Sequence, residues 1–163
     1  MSERAIAIRL KIPDNEAYTA LVALQRLGVE AERLERSEIW IVEDAGDPSS
    51  LASRVEANES VFNPNKHRLE VLASPQPRAG EVWIEELGAH DEVREHLGGK
   101  AIDGIARARR CVGWRLLDRY GEPVSRGTVA DAADLLLCNP AIEVARLGPE
   151  GSRARREEAG DRA

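Results

Sequence analysis

This chain lacks a basic excess, a long apolar run and a cysteine framework, and each absence removes a class of function. Lysine and arginine number 23 against 29 aspartates and glutamates, for a net charge of −6. General nucleic-acid binding needs a basic footprint. No stretch approaches the ~20 apolar residues of a membrane span, and the N-terminus shows no secretory signal pattern. Neither nucleic acid nor membrane is therefore expected as a partner. The two cysteines, Cys111 and Cys138, have neither metal-ligand spacing nor a disulfide pattern. His90 and His96 miss the i, i+4 spacing of a helical metal pair. A reduced, cytoplasmic setting without metal or cofactor is the expectation.

What is present is a soluble globular composition, 42% hydrophobic and 32% charged. A chain of 163 residues suits one ordinary domain or two minimal ones, and minimal units gain by packing against each other. One phrase occurs twice. Leu51 to Leu72 and Val129 to Leu147 each read as a helix, then Asn-Pro, then a short alternating strand. The prolines force the stop, because the residue before proline avoids the helical region. Asn63-Pro64 and Asn139-Pro140 lie 76 positions apart.

Taken in order, Ile6, Ile8, Leu10 and Ile12 alternate as a half-buried strand. Ala17, Ala20, Leu21, Leu24 and Leu27 share a helical face that Gly28 ends. Val29 to Arg36 reads as an edge strand, Ser37-Glu38 as a turn, and Ile39 to Val42 as an apolar strand. Asp47-Pro48 starts a helix, and Leu69 and Val71 mark the closing strand. In the second copy Val82 and Ile84 open a strand, and residues 90–96 read as a helical turn or long loop. Residues 100–110 read as an amphipathic helix with Arg107 and Arg110 on its outer face. Val112, Trp114 and Leu116 then alternate as a strand, and Pro123 weakens the next one. Thr128 is expected to cap the last helix.

Both copies thus read β-α-β-β-α-β. The expected fold class is α+β, with two tandem ferredoxin-like units packed as an internal pseudo-dimer. The expected boundaries are 1–73 for the first unit, 74–80 for a linker, 81–148 for the second unit and 149–163 for a disordered charged tail.

The stretch Ala23-Leu24 to Gly28, Ile39 to Val42, and the helix ending at Asn63-Pro64 resemble the PurS family. Gly99-Lys100-Ala101-Ile102 and Leu135 to Glu143 resemble it in the second copy. The family's Asp-Pro-Gln-Gly turn is missing from both copies, which have Ile12-Pro13-Asp14-Asn15 and Glu95 to Gly99 instead. PurS is the small subunit of phosphoribosylformylglycinamidine synthase, and its members are usually single units that dimerise. The resemblance implies a non-catalytic subunit of a glutamine-dependent, ATP-using ligase of purine synthesis. It would bridge a glutaminase (PurQ-like) and a synthetase (PurL-like) subunit for ammonia transfer, with further self-association open.

The residues themselves point to shape rather than catalysis. Arg107 and Arg110 suit an acidic partner surface or a solvated face, and Trp40 and Trp114 suit a core or an interface anchor. These four are the candidate interface residues; none is a candidate catalytic, cofactor or metal residue. Cys111 reads as a small core residue. Gly98-Gly99-Lys100 lacks the full phosphate-loop spacing. A tandem amino-acid-sensing module like the ACT domains shares the β-α-β-β-α-β order and is the rival expectation, since fold alone does not choose. A small enzyme ranks third for want of an acid, base and nucleophile set.

Overall fold

The computed structural model describes residues 2–88 and 102–151. In chain order these form β1 (Ser2–Leu10), α1 (Asn15–Arg26) and β2 (Arg33–Asp44). A 3-10 turn (Pro48–Ser50) then leads into α2 (Leu51–Glu56), followed by β3 (His67–Val71), β4 (Glu81–Glu86) and β5 (Ile105–Leu117). Last come α3 (Arg126–Ala132), its π-helical continuation (Ala133–Leu137) and β6 (Glu143–Leu147). The class is α+β, with a six-stranded sheet in the order β3-β1-β2-β5-β4-β6. The β1–β2, β1–β3 and β4–β6 pairs are antiparallel.

Local chemistry sets the helix ends. Asp14 Oδ1 accepts the Glu16 and Ala17 amides at 3.0 and 3.2 Å, so it caps α1 and satisfies donors the helix cannot. Gly28 follows α1 at φ 89°, a conformation that only glycine takes without strain. The cap of α3 is Ser125, whose Oγ accepts the Thr128 amide at 3.1 Å; Thr128 sits inside the helix rather than at its cap.

Three expected elements differ. Ser37 and Glu38 do not turn the chain: β2 is one strand of 12 residues. The β1 ladder reaches Glu38, which lies opposite Ile8, with Ala7 opposite Ile39. No glycine or proline stands there to impose a reversal. The expected helix over 100–110 is, from Ile105 onward, the strand β5. Its buried residues Ile105, Ala108 and Cys111 recur every third position. That spacing imitates a helical face and departs from the two-residue alternation of a regular strand. The weak strand expected around Pro123 reduces to a single bridge between Leu117 and Pro123.

The described chain divides into two compact units, each assembled from separate segments. One contains Met1–Pro13, Ser37–Pro75 and Gly88–Val112; the other contains Asp14–Arg36, Gln76–Leu87 and Gly113–Ala163. The first unit's core gathers Ile6, Trp40, Val42, Leu51, Val55 and Ile105. The second unit's gathers Leu24, Val82, Ile84, Leu116, Val129 and Ala132. Each fully enclosed Leu, Ile or Val contributes about 1.5–3 kcal/mol.

The Asn-Pro repeat has a structural counterpart in the two units. In the first, Asn63 Oδ1 accepts the Asn65 amide at 2.9 Å, and Asn63 C=O accepts the Lys66 and His67 amides at 3.0 and 2.8 Å. In the second, Asn139 Oδ1 accepts the Ala141 amide at 3.1 Å, and its C=O accepts the Ile142 and Glu143 amides at 3.1 and 2.8 Å. The ladders that follow match as well. Lys11 N–H donates to Lys66 C=O where Leu87 N–H donates to Ile142 C=O. Leu72 N–H donates to Ala5 C=O where Gly148 N–H donates to Glu81 C=O. Every one of these partners keeps the 76-residue offset from Asn63 to Asn139. The signature is a turn plus two paired strands, built twice.

Candidate functional site

The four candidate interface residues are split between the units. Trp40 is buried at 4% exposure, and Arg110 lies over its ring, 5.8 Å from the centroid, beside Glu38 at 3.6 Å. In the second unit Trp114 is half-buried, with Arg36 5.7 Å from its ring centroid and Glu16 3.2 Å from that arginine. Arg107 stands exposed on β5, and a strand does not gather it with Arg110 on one face as a helix would. Arg146 covers Trp83 at 5.6 Å in the same manner. The shared device is an arginine laid over a tryptophan, its stem covering apolar surface and its cation facing the ring.

Sequence reasoning missed the strongest charged cluster. The Asp44 carboxylate, wholly enclosed, ends β2 and receives Arg54 Nη1 and Nη2 at 2.9 Å each. Arg54 also donates to Asp47 C=O at 3.0 Å, Ser50 Oγ at 2.9 Å and Asp103 C=O. The Arg54 hydrogen bonds hold the Asp44 carboxyl below its usual range against the opposing effect of burial, and the Gly46 amide helps. Those same bonds raise the Arg54 guanidinium. Gly104 makes room for the cluster: a Cβ there would stand 2.8 Å from Arg54 Nη1 and 3.0 Å from Asp44 Oδ1. Two groups locked in their charged forms tie loops together and do not exchange protons. In sequence the only trace was an acid at a strand end ten positions before an arginine. In the second unit Glu81, buried on β4, accepts from Arg78 Nη2 at 2.9 Å and from the Trp83 indole.

The second unit also has an open cleft of about 720 Å³, lined by Gln25, Val29, Glu30, Tyr120, Ser125 and Thr128 among others. Three of its polar side chains are engaged within the fold. Gln25 donates to Ala31 C=O at 2.9 Å, and the Ser125 and Thr128 hydroxyls lie 2.9 Å apart.

Among the described hydroxyls, Ser49 Oγ donates to Asp47 Oδ1 at 2.9 Å, inside the same Asx turn in which Asp47 Oδ1 accepts the Ser49 amide at 3.0 Å. Burial, followed by Glu143 and Asp134, pushes the Cys138 thiol up, away from the thiolate that attacks. Cys111 is buried on β5. His67 Nδ1 accepts the Asn63 amide at 3.0 Å, and its ring lies 6.0 Å from that of Phe62, a structural role. No group of three or more His, Cys, Asp or Glu able to hold a metal occurs among the described residues. None of the helices described is long and apolar enough to cross a membrane. His90, His96, Gly98-Gly99-Lys100 and the tail from Ser152 lie outside the described residues.

Exposed apolar side chains occur on helices, on strands and in turns, Ile12 and Tyr120 among the last. In the second unit Tyr18 on α1 and Leu135 and Leu136 on the π-helical turn face solvent. Cys138 N–H reaches back to Ala133 C=O at 3.0 Å to form that turn, a geometry frequent at functional sites. No protein-family model matches the chain, and no curated protein matches it either.

Proposed function

We propose that the chain is a PurS-like, non-catalytic bridging subunit that carries in one polypeptide the pair of units that family members assemble by dimerising. The observation that carries this reading is the repeat: the Asn-Pro turn and its two paired strands occur twice at a constant offset. The finer fold belongs to the same proposal. The first unit holds β1, β3, residues 37–44 of β2 and residues 105–112 of β5; the second holds β4, β6 and the remaining parts of β2 and β5. Four strand segments per unit, with α1 and α3 both in the second, support a ferredoxin-like sandwich with exchanged middle segments. The exposed Tyr18, Leu135 and Leu136 supply apolar anchors for a partner, which suits recognition by surface rather than by pocket.

The test is a pull-down from native extract with the full chain as bait, in the presence of glutamine and ADP. Co-recovery of a glutaminase and an ATP-dependent synthetase is expected. Recovery of neither sinks the reading. The cleft of the second unit favours the ACT-like, amino-acid-sensing alternative. A saturable rise in melting temperature with one amino acid, and no protein partner, would shift the assignment to it.

A further inference from the structure

The edge strand β3 carries a charge symmetry that the equivalent edge β6 lacks. Among the described residues its only strand neighbour is β1. Lys11 N–H donates to Lys66 C=O at 2.8 Å and Leu72 N–H donates to Ala5 C=O at 2.9 Å. These bonds fix the phase of the ladder: even-numbered residues turn their backbone groups toward β1, and odd-numbered ones turn theirs outward. The outward set comprises the N–H and C=O of Leu69 and Val71 and the C=O of His67. The His67 N–H is already held by Asn63 C=O at 2.8 Å.

We propose that this edge binds a second copy of the chain, β3 against β3, antiparallel about Leu69. In that register outward groups meet outward groups. Leu69 exchanges both hydrogen bonds with its symmetry mate, and Val71 N–H reaches His67 C=O in both directions. The same register sets Arg68 opposite Glu70 twice, because His67-Arg68-Leu69-Glu70-Val71 is a charge palindrome centred on Leu69. Both pairs fall at sites not hydrogen-bonded across the interface, where facing side chains come closest. Within one chain Arg68 lies opposite Arg9, a like-charge pairing that the incoming Glu70 offsets. Arg9 and Glu70 keep interactions of their own within the chain, so the new pairs add to these. On the other face Leu69 meets Leu69, and Val71, 37% exposed, meets His67 beside Leu10.

The repeat supplies a control. β6 is the equivalent edge, and its phase is fixed the same way by Ile142 and Gly148. Pairing β6 with itself about Ala145 sets Val144 against Arg146 and Glu143 against Leu147, with no opposite charges facing. The β3 edge is self-complementary and the β6 edge is not.

Sedimentation equilibrium of the full chain should show a monomer–dimer equilibrium that weakens with salt. Arg68→Glu or Glu70→Arg alone should weaken the dimer roughly tenfold. The double variant R68E/E70R restores the facing charges and should recover it. Hydrogen exchange at the Leu69 amide should slow as wild-type concentration rises, while exchange at Ala145 stays unchanged. This last readout needs no variant, so it decides the matter even if a charge reversal unfolds the chain. A chain that stays monomeric into the millimolar range overturns the proposal. So does a dimer whose Leu69 amide exchanges freely, or a double variant that fails to recover. None of these outcomes bears on the pull-down, which tests the purine-complex reading separately.

Discussion

Asp44 and Arg54 show what one buried pair does for a protein with few aromatic residues. Both Asp44 oxygens are met by Arg54, and the carboxylate is wholly enclosed. Removing one partner leaves a charge stranded away from water, which costs more than the intact pair contributes. Arg54→Ala should therefore lower stability by about 3 kcal/mol in urea denaturation at neutral pH. Arg4, 3.6 Å from Asp44, offers partial compensation that keeps the loss near the low end. Acid should act through the same carboxylate. Its folded-state value lies below its unfolded one, so its contribution is full above the ordinary carboxylate range of about 4. That contribution fades as pH falls through the lowered value. Urea midpoints of the wild type should drop steeply below about pH 4. Those of Asp44→Asn should start lower and fall less over the same interval.

The two Asn-Pro turns are the best place to compare elements, because each asparagine side chain and carbonyl make the same bonds at the same offsets. Asn63→Ala and Asn139→Ala should each cost about 1 kcal/mol in thermal unfolding, with matching values. A large cost at one turn and none at the other would mean that the likeness is geometric without being energetic. These turns, and the strands after them, were legible in sequence because proline and asparagine act locally. β1, α1 and β4 were legible for a similar reason, since their apolar spacing has one dominant period. β2 and β5 were not. Ser37-Glu38 reads as a break, yet β2 continues through it and Glu38 pairs with Ile8 of β1. Ile105, Ala108 and Cys111 carry helical spacing on a strand. Of the candidate interface residues, sequence gave no hint that Trp40 lies under Arg110. The Asp44–Arg54 pair was hidden because loops, not periodicity, bring its members together.

At the scale of the whole chain, the segments of each unit interleave along the sequence. Residues 1–73 contain Leu24, whose core partners include Val82, Leu116 and Val129. They lack Ile105 and Ala108, which complete the cluster around Trp40. Polypeptides 1–73 and 81–148 made separately should therefore each melt without a cooperative transition by circular dichroism, and mixing them should restore one. A sharp transition in either piece alone would show that its unit closes without the exchanged segments. There is also a consequence for synthesis. Neither compact unit is complete until β5, which serves both, has been made. At about 5–20 residues per second, the ribosome needs roughly a few seconds to go from Val71 to Leu117. During that interval Leu24, Trp40 and Val55 are without their full set of neighbours. The nascent first half is thus a natural client for a chaperone, and slow codons placed before β5 would lengthen its exposure.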